Sequence, residues 1–198
     1  MATRDKILES ALTLFAANGY DGTSVEEIAA GVGIKAPSIY KHYKGKEDIL
    51  NELIDTAESR YEEFFGSENH IGKIPESEEE FVSSTMERIR FTIHDPLIRK
   101  IRIFLVKEQF RNERLAKITT NHQLNGIQRM FTRILSGMMD IGLIVKDDPE
   151  MLAVELTSPA VLWISQADRE PDLEEEALYN IEKHLRHFCN VYMKEEKL

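Results

Sequence analysis

An all-α fold of about nine helices, with an N-terminal helix-turn-helix head on a C-terminal helical-bundle body, is what this sequence predicts, and three observations carry the expectation. Apolar residues recur at steps of three and four along most of the chain, the period of a helix with one buried face. No stretch sustains the two-residue alternation of a half-buried strand. Serine, aspartate, glycine and proline punctuate the periodic segments at the places where helices begin and end.

The elements follow in order. Thr3 is placed to cap a first helix whose Ile7, Leu8, Ala11, Leu14 and Phe15 form one stripe, and Gly19 closes it. Ser24 and Glu27 make the S-x-x-E pattern of a capping box, in which each side chain satisfies a main-chain donor at the helix start. A second helix therefore begins near Val25, with Ile28 and Ala29 on its inner side. Gly31 and Gly33 interrupt it as turn residues, and Ile34 returns to the core. Pro37 fits only the first turn of a new helix, where its missing N–H costs nothing, so a third helix is expected from about Lys35 to about His42. Gly45 or Lys46 opens a fourth, with Glu47 and Asp48 at the positive end of its dipole. Its stripe of Leu50, Leu53, Ile54, Ala57, Tyr61 and Phe64 makes residues 46–65 a connector into the body.

Gly66 to Glu76 has the composition of a loop. Ser77 with Glu80 repeats the capping-box pattern ahead of Phe81, Val82, Ile89 and Ile93. Asp95 with Pro96, and Asp148 with Pro149, each place a cap before a proline at the first helical position. The helix after Pro96 carries Leu97, Ile101, Phe104 and Leu105. Leu124, Ile127, Phe131, Ile134, Met138 and Ile141 step as a narrow seam, the pattern of helices packed nearly antiparallel, and Gly142 ends it. Pro159 lies inside the penultimate helix, where it removes the hydrogen bond to Glu155 and bends the rod. Asp172 with Glu175 is expected to cap the last helix, along which Leu178, Ile181, Leu185, Phe188 and Tyr192 recur.

Charge separates the head from the rest. The chain's formal net charge is -10, which argues against nucleic acid until its distribution is considered. Residues 1–46 hold six Lys and Arg against five Asp and Glu, whereas the remainder holds nineteen against thirty. Between residues 35 and 46, Lys35, Lys41, Lys44 and Lys46 face no carboxylate at all. A duplex-binding helix-turn-helix inserts its second helix into the major groove, with early residues on base edges and flanks on phosphates. Ser38, Tyr40, Lys41 and His42 supply the hydroxyl and cationic groups for that task, while Ile39 and Tyr43 point back toward the neighbouring helices.

Over these first fifty or so residues the chain resembles the TetR family of bacterial transcription regulators. The residues that carry the resemblance are Thr23, Ser24, Val25, Ile28, Ala29, Gly33, Ile34, Tyr40, His42, Tyr43, Lys46 and Glu47. It implies an all-helical homodimer, usually a repressor, that leaves its pseudo-palindromic operator when a small effector enters the C-terminal domain. It also proposes Ser24, Tyr40 and Lys46 for phosphates, and Lys35, Ala36, Pro37, Ser38, Lys41 and His42 for the face toward the bases. Lys35 and Pro37 stand where many members have Ser or Thr and Gly.

The expected division is a DNA-binding domain at residues 1–46 and an effector-binding and dimerisation domain at 47–198. An isologous pair of the last two helices makes a four-helix dimer bundle, for which Leu156, Trp163, Leu178, Ile181, Leu185, Phe188 and Tyr192 are the candidates. Phe91, His94, Phe104, Phe110, Gln128, Met130, Phe131, Met138 and Trp163 are candidates for contacts to a largely apolar effector. Two other classes compete: a helical protein-binding adaptor, and a bundle enzyme. The chain lacks the Glu-x-x-His pairs of di-iron bundles, and His184 and His187 have no third ligand of suitable spacing, so no metal, cofactor or catalytic residue is expected. The single cysteine, Cys189, suits a reducing cytoplasm. No apolar run reaches the roughly 20 residues that span a bilayer, so no membrane partner is expected.

Overall fold

The computed structural model describes residues 2–65 and 72–194, so part of the expected loop from Gly66 to Glu76 lies outside the described residues. The helices are α1 (Thr3–Asn18), α2 (Val25–Val32), α3 (Ala36–Ile39), α4 (Lys46–Phe65), α5 (Glu78–His94), α6 (Pro96–Glu108), α7 (Glu113–Thr120), α8 (Gly126–Asp140), α9 (Pro149–Arg169) and α10 (Glu174–Tyr192). A π turn, Asn121–Asn125, precedes α8 and a 3-10 turn, Pro171–Leu173, precedes α10. The fold is all-α. Among the described residues the β-type pairing is an isolated bridge, Ile144 with Met193, flanked by Val145 N–H to the Tyr192 carbonyl at 2.8 Å.

Each of the nine expected helices is present, with local departures that have physical causes. Ala2, not Thr3, occupies the cap of α1, and the Asp5 carboxylate accepts its N–H at 3.0 Å. The third helix is one turn rather than two, because Tyr43 must swing inward to pack at 2 % exposure and the chain leaves the helix at Tyr40 to bring it there. Ser77 caps α5 through the Glu80 N–H, but the Glu80 carboxylate takes the Glu76 N–H instead of returning to Ser77. Asp172 does not cap the last helix: Pro171 starts a 3-10 turn, and α10 opens at Glu174 with three acids in its first turn, where they oppose the dipole's positive end. The short α7 was not signalled by periodicity, since it buries only Leu115 and Thr119; Asn112 caps it through the Leu115 N–H.

The described chain forms two compact units, Met1–Phe64 with Pro96–Thr119, and Phe65–Asp95 with Thr120–Leu198. Compactness therefore does not divide at residue 46: α4, α6 and α7 group with the helix-turn-helix, the reader of the expected DNA contact. In the first unit Ile7, Ala11 and Phe15 of α1, Ile28 of α2, Ile39 of α3, and Ile49 and Leu53 of α4 are all buried. Phe15 stacks on Phe104 of α6 with ring centres 5.6 Å apart. Each such fully buried side chain contributes roughly 1.5–3 kcal/mol of hydrophobic stabilisation. The second unit is built on α5, α8, α9 and α10, whose Phe81, Met86, Leu135, Met138, Leu156, Ile181 and Leu185 form one cluster. The expected α8 seam is its backbone in the middle, through Phe131, Ile134 and Met138, while its ends, Leu124 and Ile141, stay exposed. Pro159 sits inside a continuous α9, where Thr157 and Ser158 turn their hydroxyls back onto the carbonyls of Ala153 and Val154.

Candidate nucleic-acid interface

The reader is assembled by three local devices. The Ser24 hydroxyl accepts the Glu27 N–H at 3.2 Å, and the Glu27 carboxylate accepts the Ser24 N–H at 2.7 Å, so the start of α2 is fully capped. Gly33 then ends α2 in the left-handed conformation, φ 74°, which a residue with a Cβ adopts at a cost. Lys35 becomes the N-cap of α3 with Pro37 inside the first turn. Behind α3, Ile39 is 0 % exposed and anchors the turn.

In front, Lys35, Pro37, Tyr40, Lys41, His42 and Lys44 are exposed, and Ala36 and Ser38 are half-buried. Tyr40 is 55 % exposed, a large value for an aromatic side chain. The expected base-facing residues are thus exposed or half-buried, with lysines at both ends of the segment. Ser24 is half-buried, and its hydroxyl also donates to Glu27 at 2.8 Å, so it serves first as a cap.

Lys46 is half-buried and held from within the unit. A direct phosphate contact was expected, but its Nζ donates to the carbonyls of Tyr20 and Thr23 at 2.6 and 2.8 Å and lies 4.4 Å from the centre of the Tyr20 ring. The ammonium pins the turn before α2 to the first residue of α4. Its role in this geometry is positioning. On the far side of α4, Arg4 forms a two-pronged pair with Glu52 and lies over the Tyr43 ring, 5.3 Å from its centre. Burial lifts the Tyr43 phenol to about 12, so it stays neutral.

The expected effector residues are divided between the two units. Phe104 is 1 % exposed in the core of the first unit, and Phe110, in the same unit, is 91 % exposed. His94 is exposed and pairs with Glu174 at 3.0 Å. Phe131 and Met138 are packed core of the second unit. Phe91, Gln128, Met130 and Trp163 remain partly exposed there. Two shallow depressions are present, lined by Arg111, Asn112, Glu113, Arg114, Lys117 and Ile118, and by Lys73, Pro75, Glu80, Ser83, Ser84 and Glu87. Neither contains an expected effector residue.

The expected dimer residues are mostly used within the chain: Leu156, Leu178, Ile181, Leu185 and Phe188 are all 8 % exposed or less, and Trp163 and Tyr192 pack against the same cluster. The reason is that periodicity identifies a buried face but not what buries it. The opposite faces of the same helices leave Met151, Val154 and Leu162 of α9 and Tyr179 and Val191 of α10 exposed. Sequence reading missed these because they are few and interspersed with polar residues. Among the described residues no group of three or more His, Cys, Asp or Glu side chains is disposed to hold a metal, and no helix is long and apolar enough to cross a membrane.

Residues 7–53 match the family of bacterial regulatory proteins named tetR. The chain is 28 % identical to the negative transcriptional regulator IcaR of the icaADBC biofilm operon in Staphylococcus epidermidis, over 55 % of this chain and 76 % of that protein. It is 43 % identical to IcaR of Staphylococcus aureus across 51 residues, 26 % of this chain and 27 % of that protein. Among solved structures, SmeT, the repressor of the Stenotrophomonas maltophilia multidrug efflux pump SmeDEF, superposes with a TM-score of 0.73 at 19 % identity, covering 99 % of this chain and 93 % of SmeT. A SmeT–triclosan complex gives 0.78 at 20 % identity, covering 99 % and 94 % of the two chains. The capped α2, the left-handed glycine and the exposed residues of α3 therefore all lie within the segment, residues 7–53, that matches the tetR family of bacterial regulatory proteins.

Proposed function

We propose that the chain is a homodimeric, ligand-responsive repressor that binds double-stranded DNA at a pseudo-palindromic operator. The observation that carries this reading is the outward row on and around α3, with lysines at its margins and two buried residues, Ile39 and Tyr43, holding it from behind. In it, Lys35, Ala36, Pro37, Ser38, Lys41 and His42 face bases, Tyr40 meets phosphate, and Ser24 presents the capped N-terminus of α2 to the backbone. Lys46 acts through the turn it holds. Repression is supported by the names of IcaR and SmeT, and response to a small molecule by the SmeT–triclosan complex.

Dimerisation uses the exposed apolar faces of α9 and α10, Met151, Val154, Leu162, Tyr179 and Val191, in place of the residues that their own core consumes. Two copies then present two α3 helices to successive major grooves, about 34–36 Å apart. The effector contacts fall to the partly exposed Phe91, Gln128, Met130 and Trp163 of the second unit. An effector lowers DNA affinity to the extent that it binds better to a head spacing that does not fit the grooves. The site of action is the cytoplasm, where the operator is.

Gel-shift titration of the full chain at several salt concentrations tests the reading. Tight binding to one palindrome with steep salt dependence supports it, and failure to distinguish that palindrome from random duplex assigns the chain to the adaptor class.

A further inference from the structure

The densest cationic stretch of the chain outside the reader lies in the same compact unit. Residues 96–119 carry seven Lys and Arg against two Asp and Glu, in a chain whose net charge is -10. One of the two acids, Glu108, is 3 % exposed and reaches Arg111 at 4.0 Å, the limit of an ion pair, so it answers one of the seven cations from below. The turn between α6 and α7, together with α7 itself, presents the charge: the side chains of Arg111 in the turn and Lys117 in α7 are 75 % and 76 % exposed around an open depression, and Phe110 in the turn is 91 % exposed.

The segment is fixed to the end of α1, to the turn before α2 and to the start of α4. Lys107 Nζ donates to the Ala16 carbonyl at 3.1 Å near the end of α1. Glu108 lies so close to Gly19 that a Cβ there would come within 2.8 Å of its carboxylate oxygen, which places α6 directly on the turn leading into α2. Arg114 donates to Glu47 at 2.9 Å and also to Asn51, both in the first turns of α4, one of them adjacent to Lys46. The exposed acids that answer these cations, Glu113 on Lys117 and Glu47 on Arg114, are 84 % and 71 % exposed. Solvent-exposed pairs of this kind hold weakly and yield to a stronger anion.

We infer that the α6–α7 turn is a second DNA contact, in which Arg111 and Lys117 meet phosphates of the duplex flanking each half-site, outside the segment that α3 reads. The inference rests on the operator-binding reading above. Contacts of this type carry no sequence information; they add affinity, salt dependence and footprint length.

The test uses the full chain and the duplex that the wild-type protein itself selects from a random library, prepared in two lengths. One duplex holds the two half-sites alone, and the other extends about one helical turn, ~10 base pairs, beyond each end. The wild type should bind the extended duplex about tenfold more tightly at low salt, with a steeper log–log salt slope. The double substitution Arg111→Gln with Lys117→Gln should remove that advantage and lower the slope by about four in a dimer, roughly one per lost phosphate contact. Binding to the trimmed duplex should not change, and Arg111→Lys with Lys117→Arg should retain the wild-type slope. Equal wild-type affinity for both lengths overturns the second contact while leaving the reader intact, and so does a loss that is equal on both lengths. Binding of wild type to phosphatidylglycerol vesicles, lost in the double variant with DNA slopes unchanged, assigns the patch to an anionic lipid surface instead. A wild-type chain that binds neither duplex fails the operator-binding reading itself and the second contact with it.

Discussion

Lys46 sits in the motif that announced the reader, yet its ammonium is directed at the Tyr20 and Thr23 carbonyls rather than outward. Sequence identified the position and not the direction of the side chain, since the same lysine serves either purpose at the start of a helix. One charge-assisted hydrogen bond is worth roughly 1.5–3 kcal/mol net of competition with water, and solvent screening of the half-buried Lys46 keeps its pair of bonds near that range. Lys46→Ala should therefore lower the stability of the first unit by about that amount and weaken binding to every duplex alike, whereas Ser38→Ala or Lys41→Ala should leave the melting temperature unchanged and shift base preference. Chemical denaturation beside duplex titration separates the two, and a Lys46→Ala variant of wild-type stability that binds poorly restores the direct phosphate role. Glu27 provides a pH-dependent counterpart. The Ser24 N–H and hydroxyl hold its carboxyl below the usual 4.5, so the stability it contributes is complete above that value and is lost as pH falls through the lowered one. The difference in melting temperature between wild type and Glu27→Ala should therefore close on acidification from about pH 5 to about pH 3; a difference independent of pH excludes the charged form as its source. Cys189, 1 % exposed with its thiol pushed up to about 12 by burial, should resist a thiol reagent at pH 8 until the chain unfolds, and rapid labelling of the folded protein contradicts that.

At the scale of the element, α9 and α10 show what a hydrophobic period conveys. Leu178, Ile181, Leu185 and Phe188 were legible as one face, and that face is buried; its partner was not legible, because burial against another helix of the same chain and burial against a second copy leave the same stripe. The outer faces carry only Met151, Val154, Leu162, Tyr179 and Val191 among polar residues, too sparse for a period to stand out. These two faces respond differently to substitution. Leu185→Ala opens a cavity in the core and should cost about 2–5 kcal/mol of unfolding free energy. Leu162→Glu with Tyr179→Lys should leave the monomer folded and convert a dimer into the 22.8 kDa chain in sedimentation. Unchanged sedimentation in that double variant moves the interface elsewhere. The single-turn α3 makes a related point: its existence followed from Pro37 after a glycine turn, but its length followed from the need to bury Tyr43, which is a tertiary demand.

At the scale of the molecule, charge and compactness do not follow the same boundary. Sequence placed a division at residue 46, where the motif ends, but α6 and α7 return from later in the chain to join the first unit, a long-range contact that no local pattern reports. With that segment included, the first unit holds fourteen basic and fourteen acidic residues and the second eleven and twenty-one, so the whole net charge of -10 resides in the second. A neutral unit with its cations gathered on the reader and the α6–α7 turn is electrostatically suited to a polyanion in a way the total conceals. The central claim is that the outward face of α3 reads bases. Selection from a randomised duplex library, run in parallel with wild type and Lys41→Ala, tests it most directly. The account predicts that wild type enriches two inverted half-sites centred about 10 base pairs apart, and that the variant enriches the same spacing with preference relaxed at one or two positions in each half-site. No enrichment by the wild type, or an identical consensus from the variants at Lys41 and Ser38 alike, would contradict it.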